Sequence, residues 1–180
     1  GFQQNADERF VYGWFNYNRF QPGRIFRNYA FGINPNAGWN FGGTRLWTQV
    51  NFWGNANFAN FWSASVSANN RWHATSTGAL RGGPALHAPG SNNFNLGINT
   101  DRRRAVSFNV NTNGNREKET GVVRYGFGGG VTMRPSPQLD LSLQPSVSWN
   151  EHDWQYVAAP TAATGHREYI VAHLDQTTVS

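Results

Sequence analysis

Leu139, Leu141, Leu143, Val147 and Trp149 alternate with Asp140, Ser142, Gln144, Ser146, Ser148 and Asn150, and only Pro145 departs from the pattern. A period of two held this long puts the apolar side chains on one face of a single extended strand. The same period returns along the chain in segments of about ten residues, the length a tilted strand needs to cross a bilayer. The expected fold is all-β, an antiparallel up-and-down meander with one greasy face and one wet face. In lipid such a meander must close into a transmembrane β-barrel, because open edges have no water to satisfy them.

Composition agrees with half-wet strands. Only 38% of the 180 residues are hydrophobic, while 15% are aromatic and 20 are glycine, too little apolar mass for a large dry interior. Mean hydropathy is −0.60, a value that alternating strands reach even in a membrane. No run approaches ~18 consecutive apolar residues, so no transmembrane helix is expected. Cysteine is absent, which removes disulfides, thiolate zinc sites and cysteine nucleophiles. The chain opens on Gly1 with no basic stretch leading into an apolar one, as a mature, processed or partial chain would.

An irregular lead-in over 1–9 is expected, then consecutive hairpins over 10–180, all one barrel segment. The period marks nine strands: 10–20, 24–41 with a bend near Asn34-Pro35-Asn36, 46–58, 62–69, 94–99, 106–111, 124–134, 139–150 and a last one ending at Ser180. Connections at 21–23, 59–60, 101–103 and 135–138 are short, and those at 35–44, 71–93, 112–120 and 153–167 are longer. Outer-membrane barrels sort their turns and loops in this way. Trp39, Trp47, Trp72, Tyr125, Trp149 and Trp154 lie toward the long connections and Phe58, Phe61 and Trp62 beside a short one, as two interfacial aromatic girdles would. An odd strand number and an ending without a terminal aromatic point to an incomplete barrel, whose partners are further strands of the same protein.

Arg124 and Arg134 share the polar parity of their strand, with Gly126, Gly128 and Gly130 between them. With Asp140 and Gln144 they are lumen-facing candidates, either favouring anions or pairing with an acid such as Asp140. Arg71 and Arg81, flanked by His73 and His87, are candidates for lipopolysaccharide phosphates, the alternative being a solvated loop. Glu151, His152, Asp153, His166 and Glu168 match no zinc spacing. No metal or cofactor is expected. Nucleophile elbows, phosphate loops and HExxH helices are also missing, so no enzyme is expected. Nucleic acid is not an expected partner either, since the arginines sit mainly at turns and strand ends.

Three short stretches carry a resemblance: Trp39-Asn40-Phe41-Gly42-Gly43-Thr44-Arg45, Leu80-Arg81-Gly82-Gly83-Pro84 and Leu174-Asp175-Gln176-Thr177-Thr178-Val179-Ser180. They resemble an uncharacterised family of large bacterial outer-membrane proteins, in which a family-9-like carbohydrate-binding module precedes a C-terminal β-barrel. The resemblance implies an internal piece of that barrel in a Gram-negative-type outer membrane. It also implies that any glycan is bound by an N-terminal module outside these residues. Transport, pore formation or surface anchoring of a glycan-related protein is the expected function. The alternative is a soluble, β-rich, lectin-like module that stacks sugars on exposed Trp.

Overall fold

The computed structural model describes residues 7–76, 85–158 and 170–179; the side chains of 152–158 and 171–174 lie outside the description. Arg81, the Trp154 side chain and the His152, Asp153, His166 and Glu168 group fall there. The strands are β1 (Arg9–Tyr12), β2 (Phe15–Arg19), β3 (Phe26–Trp39), β4 (Arg45–Phe58), β5 (Ser63–Arg71), β6 (Ala74–Ser76), β7 (Leu86–Ala88), β8 (Ser91–Asn99), β9 (Val106–Glu117), β10 (Val123–Ser136), β11 (Leu139–Leu143), β12 (Ser146–Ala158) and β13 (Ile170–Val179). Among the described residues there is no helix.

Eleven strands form one antiparallel sheet in the order β1-β3-β4-β5-β8-β9-β10-β12-β13, with β2 also on β3 and β11 also on β10. Each of the pairs β1 with β2 and β11 with β12 is one interrupted stave, so the sheet is an up-and-down meander of the kind expected. Strands β6 and β7 form a separate two-stranded ribbon. Among the described residues the first and last staves do not pair with each other, and the sheet is open.

Register carries one parity across the whole sheet. Phe31, Gly54, Val66, Leu96, Thr112, Phe127, Val147 and Val179 are successive cross-strand partners, and their neighbours two residues along are mostly apolar too, Thr177 on the last strand excepted. This face has no second layer upon it. Phe31, Phe52, Val66, Phe94, Leu96, Phe108, Phe127 and Leu141 are all exposed, and among the described residues the buried apolar ones are Leu46, Ala74 and Val122, near the edge with the longer connections. Hydrophobic burial within the chain therefore contributes little, and the sheet holds chiefly through ladder hydrogen bonds and cross-strand side-chain contacts.

Four expectations change. β3 runs unbroken through Pro35, which keeps Val50 as its partner; the interruption lies instead in the neighbouring stave at Gly13-Trp14. Gly13 donates to the Pro35 carbonyl at 2.8 Å, so the donor that proline lacks would have faced that gap. The run that opens at Leu139 is likewise two strands, parted at Gln144-Pro145. Gly129 donates to the Pro145 carbonyl at 3.1 Å, and the register with β10 is the same on both sides of the gap, so the faces do not exchange.

Residues 112–117, expected in a loop, belong to β9. Thr112 and Gly114 stand at positions where the pattern called for large apolar residues, and the Phe94 ring lies across Gly114 to fill the place of a side chain. The stretch 71–93 holds the β6–β7 ribbon. Connections at that edge are consequently less uniformly long than expected: 40–44 and 118–122 are both tight.

Candidate functional site

The face opposite the apolar one is built of Asn, Ser and Gly, and one row across it is continuous. Asn34, Asn51, Asn69, Asn93, Asn115 and Arg124 are successive partners on β3, β4, β5, β8, β9 and β10. Strands lie about 4.8 Å apart, close enough for each side-chain amide to reach the next. Asn51 donates to Asn34 Oδ1 at 3.3 Å, Asn69 to Asn51, Asn93 to Asn69 at 3.5 Å, and Asn115 to Asn93. Arg124 donates to Asn115 Oδ1 at 3.0 Å, and Asn34 passes the chain on to the carbonyl of Gly13. Every donor points the same way, an arrangement in which successive bonds polarise one another.

Arg124 is also paired with Glu117 at 2.8 Å, with both side chains largely covered. Arg134 pairs with Asp140 at 2.9 Å, both well exposed. Of the lumen-facing candidates these two arginines therefore carry charges already matched by carboxylates, the pairing that was one of the two expectations for them. The space expected over Gly126, Gly128 and Gly130 is not empty: a Cβ there would fall 2.6, 2.5 and 2.2 Å from Oδ1 of Asn113, Asn111 and Asn109. The glycines let those amides lie flat on the sheet. Gln144, at the gap between β11 and β12, reaches over Gly130 from the other side.

Two tryptophans share this face. Trp53 lies over Gly32, and Trp47 lies across Gly38, where an added Cβ would sit 2.4 Å from the ring. Trp47 is thus no member of an apolar-face girdle; the pairing with Gly38 puts it on the asparagine side. Arg71 pairs with Gln49 and Ser91 and has the same polar parity, so it lies on the asparagine side of the sheet. Trp53, Asn55, Ser67, Asn95 and Asn113 line a shallow basin of about 600 Å³.

The other girdle candidates divide between the apolar face and the turns. Tyr125 and Trp149 stack at 4.8 Å near one edge, and Phe58 and Phe26 meet at 5.1 Å near the other. Trp39 and Trp62 have apolar-face parity, and Trp72 is exposed beside Lys118, whose ammonium is 5.4 Å from its ring. Phe61 sits in the 59–62 turn at φ 65°, with the guanidinium carbons of Arg27 and Arg103 at 4.3 and 3.1 Å from its ring centre. His73 and His87, separated in sequence, stack at 5.4 Å, and Arg45 bonds the His73 ring at 2.9 Å.

Sequence reasoning missed a charge asymmetry. Arg19, Arg24, Arg27, Arg102, Arg103, Arg104 and Arg134 gather at the edge of the 20–25, 59–62, 100–105 and 137–138 turns, opposed among the described residues by Asp101 and Asp140 alone. Their surplus equals the chain's whole net charge of +5. Asp101 is buried and bidentate to Arg103, at 2.9 and 2.8 Å. Those side-chain bonds, then the Arg103 backbone N–H, lower its pKa to about 2. The signal was present in the sequence, since all seven arginines lie in or beside one set of alternate turns.

Among the described residues no group of His, Asp and Glu is placed to hold a metal ion. Neither the curated proteins nor the solved structures include a match to this chain. A family described as a domain of unknown function, DUF5916, matches residues 1–180, and the chain belongs to that family.

Proposed function

We propose that this DUF5916 chain supplies staves of an outer-membrane β-barrel, with its apolar face against lipid and its asparagine face toward a water-filled lumen. The barrel serves transport or the surface anchoring of a glycan-related protein. One observation carries the reading: a single-layer antiparallel sheet whose apolar face has no second layer upon it and leaves large side chains from Phe31 to Trp149 exposed. The largest apolar patch on a soluble monomer is commonly ~300–600 Å², and a soluble sheet buries such a face under a second layer. Lipid is the solvent that leaves it uncovered at no cost, provided further strands complete the closure.

Refolding tests this directly. The proposed barrel acquires β-type circular dichroism only with detergent or lipid and migrates differently on gels before and after heating. A stable, soluble monomer formed without detergent overturns it. A second reading, the lectin-like module, rests on Trp53 with its fringe of Asn and Ser. Binding of detergent-free protein to a glycan array, abolished by Trp53→Ala, would favour that reading over the first.

A further inference from the structure

On the apolar face, at the arginine-rich edge, lies a groove of about 730 Å³. Its floor is Gly54, Ala56 and Ala64, and its walls include Tyr29, Val66 and Leu96. Phe31, the cross-strand partner of Gly54, and Phe52 and Phe94, two residues along from Gly54 and Leu96, are exposed on the same face. At the end nearest the turns, Arg19 and Arg24 line the same cavity. No carboxylate among the described residues is within ion-pairing distance of either. The two acids of this edge are already engaged, Asp101 by Arg103 and Arg104, and Asp140 by Arg134.

We propose that this groove holds one anionic phospholipid, an acyl chain lying along Gly54, Ala56 and Ala64 and the phosphate bonded by Arg19 and Arg24. The inference rests on the membrane reading above and names a specific lipid partner for it. Charge complementarity selects the occupant. An apolar trough ending in two guanidiniums without partners matches a molecule with a hydrocarbon tail and a phosphate head, since guanidinium binds phosphate oxygens in pairs. A zwitterionic lipid offers the same tail but cancels its phosphate charge. A free phosphate offers no tail for the trough. The surplus of arginine along the whole edge adds a less specific attraction to an anionic leaflet.

The test uses the barrel protein that carries these staves together with the further strands that close it, refolded into vesicles of phosphatidylcholine, alone or with phosphatidylglycerol. Lipid that remains on the protein after mild detergent extraction is quantified by mass spectrometry. Phosphatidylglycerol is expected to be enriched over its share of the vesicle, and Arg19→Gln and Arg24→Gln should each reduce the enrichment about fivefold. Arg102→Gln, at the same edge but outside the groove, should lower it only slightly. Ala56→Leu, which fills the trough, should release both lipids. Should that variant fail to refold, the two arginine variants, exposed and outside the strand ladder's interior, still decide the matter.

Retention of the two lipids in proportion to their abundance overturns the proposal, as does enrichment that survives loss of both arginines. Displacement of the bound lipid by inorganic phosphate would show a bare anion site and also overturn it. Heat-modifiable migration in pure phosphatidylcholine is scored separately. Insertion without enrichment rejects the lipid site and leaves the barrel standing, whereas failure to insert rejects both.

Discussion

Arg124 donates to Oδ1 of Asn115 at 3.0 Å, so a row of neutral amides begins at a fixed positive charge. The charge is held in turn by Glu117 at 2.8 Å. The row is therefore anchored at its donor end by an ion pair that is mostly withdrawn from solvent. The Arg134–Asp140 pair, half exposed on both sides, belongs to the class of surface pairs that contribute about 0–1 kcal/mol.

Breaking the amide row in its middle should cost more than removing an amide beside it. Asn69 donates to Asn51 and accepts from Asn93, and it is half-buried. Asn69→Ala strands both neighbours and should destabilise by about 1–3 kcal/mol. Exposed Asn95, with one bond to Ser67 at 3.1 Å, should cost about 1 kcal/mol or less. Urea unfolding midpoints in detergent micelles measure both, and equal losses would count against the row.

Gly114 should tolerate no side chain while Phe94 keeps its place. An added Cβ would fall 2.2 Å from the Phe94 ring, and forcing the ring aside costs about 1–3 kcal/mol. Gly129→Ala meets only a backbone oxygen at 3.6 Å, ordinary contact, and should be mild. Pairing Gly114→Ala with Phe94→Leu should recover part of the loss in the same unfolding assay; additive losses would show that the ring is not the obstacle.

Phe61 sets two effects against each other. Its φ of 65° costs about 1–2 kcal/mol in a residue with a Cβ, and each cation–π contact returns about 0.5–1 kcal/mol. Phe61→Leu keeps the strain and loses the contacts, so it should destabilise by about 1 kcal/mol or slightly more. Phe61→Gly loses both and should stay within about 0.5 kcal/mol of the parent. A glycine variant as weak as the leucine variant would remove the strain from this account.

Asp101 predicts a loosening of the 100–105 turn in acid. Its folded pKa, about 2, lies below the ordinary aspartate value of about 3.9, so the unfolded chain takes up the proton first. The stabilisation is present above about pH 4 and is lost as pH falls toward 2. Amide exchange at Arg103 and Arg104 should quicken across that window, and Asp101→Asn should abolish the pH dependence.

Because the chain has no cysteine, single introduced thiols report which face meets water. Val66 and Ser67 are adjacent on β5 with opposite parity. In refolded vesicles a membrane-impermeant maleimide should label Ser67→Cys and spare Val66→Cys. Equal labelling of the two would contradict the assignment of lipid and lumen faces.

Period and parity made much of the sheet legible in the sequence. The staves, their order and the faces of Arg124, Phe127 or Ser146 follow from alternation alone, because a strand with one face wet has no other way to lie. Where the structure departed from expectation, information from a neighbouring strand was needed. Thr112 and Gly114 look like loop until Phe94 is seen across them, and Trp47 looks like girdle until Gly38 is found beneath it. The amide row was invisible for the same reason. Asn34, Asn51, Asn69, Asn93 and Asn115 are five of many asparagines, and only the register that links five strands sets them side by side.

The meander also governs how the molecule comes apart. Among the described residues every stave touches only its immediate neighbours in the sheet, and no central core ties distant staves together. Such a chain behaves as a one-dimensional array in which stability is a sum of nearest-neighbour terms. Loss of one stave's contacts is felt next door and fades beyond, because no shared core carries it further. For the same reason a hairpin duplicated or deleted in the middle changes the width of the array without requiring any remaining interface to be redesigned.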